Sequence, residues 1–130
     1  MYDTALLIVD ANEETRQRLC AALDRERFQA TSLSSLISLE KSIKNTSCRV
    51  VIVDLDTLPV DNLFFKEFRR RNPSVCILAL SSRSFHPELQ EAISKHIYAC
   101  LAKPVDTEEL TFWIRTICED AADRGNPPAT

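Results

Sequence analysis

Four polar side chains stand where apolar runs stop. Asp10 follows Ala5-Leu6-Leu7-Ile8-Val9, Asp54 follows Val50-Val51-Ile52-Val53, Ser81 follows Val75-Cys76-Ile77-Leu78-Ala79-Leu80, and Lys103 follows Cys100-Leu101-Ala102. A further acid, Asp56, lies just beyond Asp54. Carboxylates brought together repel one another at neutral pH and call for a cation, and oxygen ligands favour a hard one such as magnesium. A magnesium ion beside a carboxylate, with an ammonium opposite, is a charge clamp for an incoming phosphoryl group. In that chemistry Asp54 is the nucleophile and must lie open to its donor. Asp10, Asp54 and the backbone carbonyl of Asp56 hold the metal, and Ser81 and Lys103 bind phosphoryl oxygens. An acyl phosphate adds roughly two negative charges, which can draw Ser81 and the loop after it inward.

These residues meet only if the runs before them are neighbouring strands. Val50 to Val53 has no polar alternation and three β-branched valines among its four residues. That is the pattern of a parallel strand covered by helices on both faces. Between the runs lie helical signals. Asn12 caps a helix with Glu13 and Glu14 in its first turn and Leu19, Ala22 and Leu23 on its packed face. A weak strand, 28–31, precedes a helix within Ser32 to Asn45, whose propensity is lowered by five serines between positions 32 and 42. Pro59 delays the next helix to Asp61 or Asn62, with Leu63, Phe64, Glu67 and Phe68 on its inner side, and Asn72-Pro73 stops it. A helix from about Glu88 to Lys95 follows a charged, serine-rich loop. The last begins after the Asp106 cap, with Glu109 in the capping-box position and Leu110, Ile114, Ile117 and Ala121 on one face. Five alternations of strand and helix give an α/β fold with one parallel sheet between helices. The carboxyl ends of such strands share one edge, where ligands bind.

Composition narrows the function. At 130 residues the chain fits one domain, placed at 1–122, with 123–130 as a tail or the start of a linker. The five cysteines form no Cys-x-x-Cys pair and several sit in apolar runs, so they read as reduced core thiols. His86 and His96 have no cysteine at zinc-ligand spacing, and the single glycine, Gly125, leaves no phosphate-cradling loop. No apolar stretch reaches the ~18 residues of a membrane span, and residues 1–4 are no basic leader. The reading is a cytoplasmic protein without membrane contact. A net charge of −3 argues against direct nucleic-acid binding, and the Lys66, Arg69-Arg70-Arg71 cluster reads as the basic end of a helix. His86, before Pro87, reads as an exposed loop residue without a carboxylate partner.

From Leu6 to Ile117 the chain resembles a response-regulator receiver domain, the phosphoacceptor module of two-component signalling. The resemblance rests on Leu7-Ile8-Val9-Asp10, Val51-Ile52-Val53-Asp54-Leu55 with Pro59 beyond it, Leu78-Ala79-Leu80-Ser81-Ser82, and Cys100-Leu101-Ala102-Lys103-Pro104 with Asp106 and Glu108-Glu109-Leu110 following. It implies a flavodoxin-like (βα)5 fold with strand order 2-1-3-4-5. It also implies phosphorylation of Asp54 by a histidine kinase or phosphotransfer protein, Ser81 as the switch hydroxyl, and Lys103 as the phosphoryl-binding lysine. No enzyme activity is implied beyond slow self-phosphorylation from small phosphodonors and autodephosphorylation.

The departures are equally specific. Ala11 stands where the family carries a second acid, so magnesium binding should weaken unless Glu13, Glu14 or Asp56 reaches in. The segment between Asp54 and Pro59 is one residue longer than usual. Cys100 replaces the switch aromatic and cannot rotate as a ring does, although Tyr98 can pack nearby. Phe112 and Trp113 lie beside the core stripe of the last helix and offer a partner or homodimer surface, or else Trp113 packs on Leu89 or Ile93. The second reading is therefore a phosphate-independent pseudo-receiver acting as an interaction or dimerisation module. A small phosphatase-like enzyme is the remaining one, and no output domain is evident.

Overall fold

The computed structural model describes residues 5–125, with side chains through Glu119. The expectations for residues 1–4 and for the tail at 126–130 lie outside the described residues. The chain alternates β1 (Ala5–Val9), α1 (Glu13–Arg25), β2 (Gln29–Leu33), α2 (Leu36–Ile43), β3 (Cys48–Asp54), α3 (Asn62–Arg71), β4 (Cys76–Ser81), α4 (Gln90–Lys95), β5 (Ala99–Ala102) and α5 (Thr107–Gly125). A 3₁₀ turn at Pro87–Leu89 leads into α4. All strand pairs are parallel, in the order β2-β1-β3-β4-β5. Helix α5 continues past the boundary expected at residue 122.

Alternate residues of the central strands feed two cores, because successive side chains in a strand point to opposite faces. Leu7, Val9, Val51, Val53, Ile77 and Ala79 pack under Leu39 of α2, Phe65 and Phe68 of α3, and Ala92 of α4. Leu6, Ile8, Val50, Ile52, Leu78 and Leu101 pack under Leu23 of α1 and Leu110, Ile114 and Ile117 of α5. The inner side of α3 differs from the expected one. Phe65 is fully buried, whereas Leu63 is 63% exposed. Phe65 and Phe68, three residues apart, share the face that packs on the sheet, and Leu63, two residues before Phe65, lies on the opposite side of the helix.

Sheet order positions the site. The order reverses between β1 and β3, and the crevice outside their carboxyl ends is where open α/β sheets bind ligands. Asp10 and Asp54 stand at those two ends. Ladder-like bonds continue past the strands, with Leu55 N–H donating to Leu80 O (2.9 Å) and Lys103 N–H to Ser81 O (2.9 Å). The loops carrying Asp56 and Lys103 are thereby pinned beside β4.

Candidate functional site

Lys103 joins the site across two strands. Its ammonium contacts Asp54 Oδ1 and lies 3.0 Å from Asp56 Oδ2. The Asp54 side chain is only 1% exposed, against 25% for that of Lys103. The expected open carboxylate is therefore covered. It ends a strand sandwiched by helices, the ammonium lies against one oxygen, and Thr57 N–H donates to the other at 2.9 Å. Burial is the largest single influence on both Lys103 and Asp56 and disfavours their charge, but their hydrogen bonds and neighbouring opposite charges together outweigh it. Lys103, which also bonds Asp54, is held above its ordinary pKa. Asp56, which also accepts from Ser82 N–H at 3.0 Å, is held below its own.

Asp10 is tied down on every side. Its Oδ1 accepts from Asn12 N–H (2.8 Å) and from the Thr57 hydroxyl (3.1 Å), and its Oδ2 lies 3.0 Å from the Thr15 hydroxyl. Thr57 Oγ1 in turn accepts from Ala11 N–H at 3.1 Å. Thr57 thus bridges the ends of β1 and β3 beside the Ala11 methyl. The sequence reading did not single it out. Its position three residues after Asp54 was the available signal, since a side-chain carboxylate commonly caps a backbone N–H at that distance.

Ser81 closes the other flank. Its Oγ lies 2.6 Å from His86 Nε2, accepts from Arg83 N–H at 2.9 Å, and is 3.5 Å from Asp56 Oδ1. His86 is therefore not the exposed loop residue expected from its neighbours. The ring is 5% exposed, and Glu88 Oε2 stands 3.8 Å from Nδ1. The turn at Pro87–Leu89, closed by Leu89 N–H donating to His86 O at 3.0 Å, folds the ring back onto β4.

The remaining departures also take shape. Cys100 is exposed rather than a core thiol, because it lies on the face of edge strand β5 opposite the buried Leu101; none of the five cysteines is in a disulfide. Trp113 is half-buried and packs edge-on against Tyr98 (5.8 Å between ring centres) and Phe112 (5.4 Å). It joins the α1/α5 core, while Leu89 and Ile93 belong to the opposite one, so that expected packing does not occur. Phe112 is 58% exposed.

A family model for the response regulator receiver domain matches residues 6–115. The chain belongs to the response regulator receiver domain family. Among solved structures, the signal receiver domain of an HD domain-containing protein from Pseudomonas fluorescens Pf-5 aligns with a TM-score of 0.83 at 21% identity, covering 94% of this chain and 99% of that one. The chemotaxis response regulator CheY4 of Vibrio cholerae aligns at 0.73 and 20%, covering 88% and 98%. The beryllofluoride-activated NtrC4 receiver domain dimer aligns at 0.77 and 26%, covering 89% and 97%. No curated protein matches the chain. As a receiver the chain is a phosphoacceptor module of two-component signal transduction. Receiver domains act as signalling modules rather than as enzymes, work with histidine kinases or phosphotransfer proteins, can dimerise, and typically bind magnesium at an acidic site.

This receiver's donor set fits a divalent ion poorly. Asp10 is bonded to Asn12, Thr15 and Thr57, and Asp54 is engaged by Lys103 and Thr57. Glu13 and Glu14, which could have compensated for Ala11, bond to Gln17 (3.0 Å) and Arg18 (2.8 Å) on α1. Among the described residues no three His, Cys, Asp or Glu side chains converge as ligands. The positive charge at this receiver's Asp54 is the ammonium of Lys103. No helix among the described residues is long and apolar enough to cross a membrane.

Proposed function

We propose that Asp54 is the phosphoacceptor. One carboxylate oxygen attacks the phosphorus of a phosphohistidine on a histidine kinase or phosphotransfer protein. The O–P bond forms as the N–P bond breaks, and the imidazole leaves with the electron pair. The observation that carries this reading is the contact between Lys103, beyond the end of β5, and Asp54, at the end of β3, reached across β4. An ammonium held there neutralises the attacking oxygen at rest, and by turning outward it meets the equatorial phosphoryl oxygens. The partial exposure of Lys103 supports that movement, and such movement is needed because Asp54 is covered. Ser81 then hydrogen-bonds the phosphoryl group, and magnesium affinity is weak because Ala11 supplies no ligand. The same chemistry gives slow self-phosphorylation from small phosphodonors, followed by loss of the group to water.

The partners are proteins in the cytoplasm rather than nucleic acid. Arg69 donates to the carbonyls of Pro73 and Val75, Arg70 pairs with Glu67, and Arg71 lies 3.6 Å from Glu40, so each of these three arginines has a partner within the fold. Phe112 with the half-buried Trp113 marks the surface through which a partner, or a second copy as in the NtrC4 dimer, is engaged.

The test is intact-mass analysis after incubation with acetyl phosphate, for the wild type and Asp54→Asn. A labile addition of one phosphoryl group on the wild type alone is expected. A wild type that takes no label is an interaction module instead.

A further inference from the structure

His86 is a buried imidazole that the phosphoryl chemistry above does not use. All its hydrogen-bonding partners lie at Nε2, with Ser81 Oγ at 2.6 Å and Arg83 O at 3.2 Å, while Nδ1 has no hydrogen-bond partner. The contact to Ser81 is the shortest that hydroxyl makes, and its other contacts are to Arg83 and, at 3.5 Å, to Asp56. None of the described contacts of the Ser81 hydroxyl is to Asp54 or to Lys103. Ser81 is thus fastened to the β4–α4 loop that follows it, and that loop is held in turn by Arg83 pairing with Glu88 at 2.9 Å. Beside the ring opens a groove of about 420 Å³ lined by Phe85, Gln90, Ile93 and Cys100. With a small thiol at position 100, this groove leaves room for the loop and ring to shift.

We infer that His86 is a positioning residue that latches the Ser81 hydroxyl in the resting state and so sets how readily Asp54 holds a phosphoryl group. The inference rests on Asp54 being the phosphoacceptor. Nε2 also faces the Arg83 carbonyl, which only accepts, so Nε2–H donates and the Ser81 hydroxyl accepts from it. Turning that hydroxyl from the ring toward a phosphoryl group on Asp54 gives up this bond, a cost that falls on the phosphorylated state alone. Removing the imidazole removes the cost. The net strength of one hydrogen bond corresponds to roughly a two- to ten-fold change in a population ratio.

Two measurements on the full chain test this. First, in the unphosphorylated protein, nitrogen NMR of the His86 ring is compared between the wild type and Ser81→Ala. A shifted Nε2 resonance is expected, and an unchanged one removes the contact on which the latch depends. Second, the steady-state ratio of labelled to unlabelled protein in acetyl phosphate is read by intact mass for the wild type, His86→Phe and His86→Gln, each checked for a cooperative melt. His86→Phe should raise the ratio about two- to ten-fold. His86→Gln, whose amide nitrogen occupies the place of Nε2, should return it to the wild-type value. A merely structural histidine would give no such rescue. Equal ratios in all three proteins overturn the latch and leave the phosphoacceptor intact. Absence of label from every variant overturns the phosphoacceptor reading, and the latch falls with it.

Discussion

The hydroxyl of Thr57 donates to Asp10 Oδ1 across 3.1 Å, tying the loop after β3 to the end of β1. The same oxygen accepts from Ala11 N–H, so one hydroxyl joins the loop after β3 to two successive residues after β1. Thr57→Val keeps the shape and loses both bonds, and should lower unfolding stability by about 1 kcal/mol in urea melts. A neutral effect would mean that water replaces the hydroxyl without loss.

Magnesium should leave the melting temperature of the wild type unchanged. Ala11→Asp restores a carboxylate beside Asp10 and should make the melt magnesium-dependent, approaching about 2.7 kcal/mol when the ion is a hundred-fold above its dissociation constant. Calorimetry across a magnesium series checks both proteins, and a wild type that responds like Ala11→Asp would refute the poor fit.

Lys103→Met should destabilise the fold by about 3 kcal/mol, because it strands a buried carboxylate at Asp54. Adding Asp54→Asn removes that stranded charge and should recover much of the loss. Chemical denaturation of the two single variants and the double variant supplies the cycle. Additive losses would show that the two side chains do not depend on each other.

Asp56 and Lys103 set limits on stability in opposite directions. Asp56 has a folded pKa below its ordinary 3.8, so its contribution is complete above that value and is lost as pH falls through the depressed one. Lys103 has a folded pKa above its ordinary 10.5, so its contribution is complete below that value and is lost as pH rises through the raised one. Denaturation midpoints should therefore be level from about pH 5 to pH 9 and fall at both ends. Asp56→Asn should make the acid limb shallower, and an unaltered limb would assign it to other carboxylates.

Arg27 is the one non-glycine residue with positive φ (70°) among those described. It follows α1, where Phe28 N–H reaches Leu23 O at 3.0 Å and Arg27 N–H reaches Asp24 O at 2.9 Å. That pair of bonds is a helix-ending motif that favours glycine at this position. Arg27→Gly should raise the melting temperature, adding roughly 0.5–1 kcal/mol after the extra chain entropy of glycine is offset. A drop would mean that the arginine side chain supplies more than its backbone strain costs.

The strands and the four polar ends were legible in the sequence because unbroken apolar runs stopping at Asp10, Asp54, Ser81 and Lys103 have few other uses in an α/β chain. Side chains placed by loops were not. His86 looked exposed because Pro87 follows it, yet that proline starts the turn returning the ring to Ser81, with Glu88 as the overlooked acid nearby. Thr57 carried no periodic signal, since its role depends on two strand ends being neighbours. On α3 the hydrophobic pattern fitted more than one face, and packing of Phe65 and Phe68 on the sheet left Leu63 outside.

The covering of Asp54 has a kinetic corollary. If Lys103 is the part of that cover that moves, the incoming donor and hydrolytic water enter through the same opening, so acquisition and decay of the signal share a gatekeeper. Whatever lengthens the time Lys103 spends turned away would speed both, altering how fast the receiver responds more than how strongly.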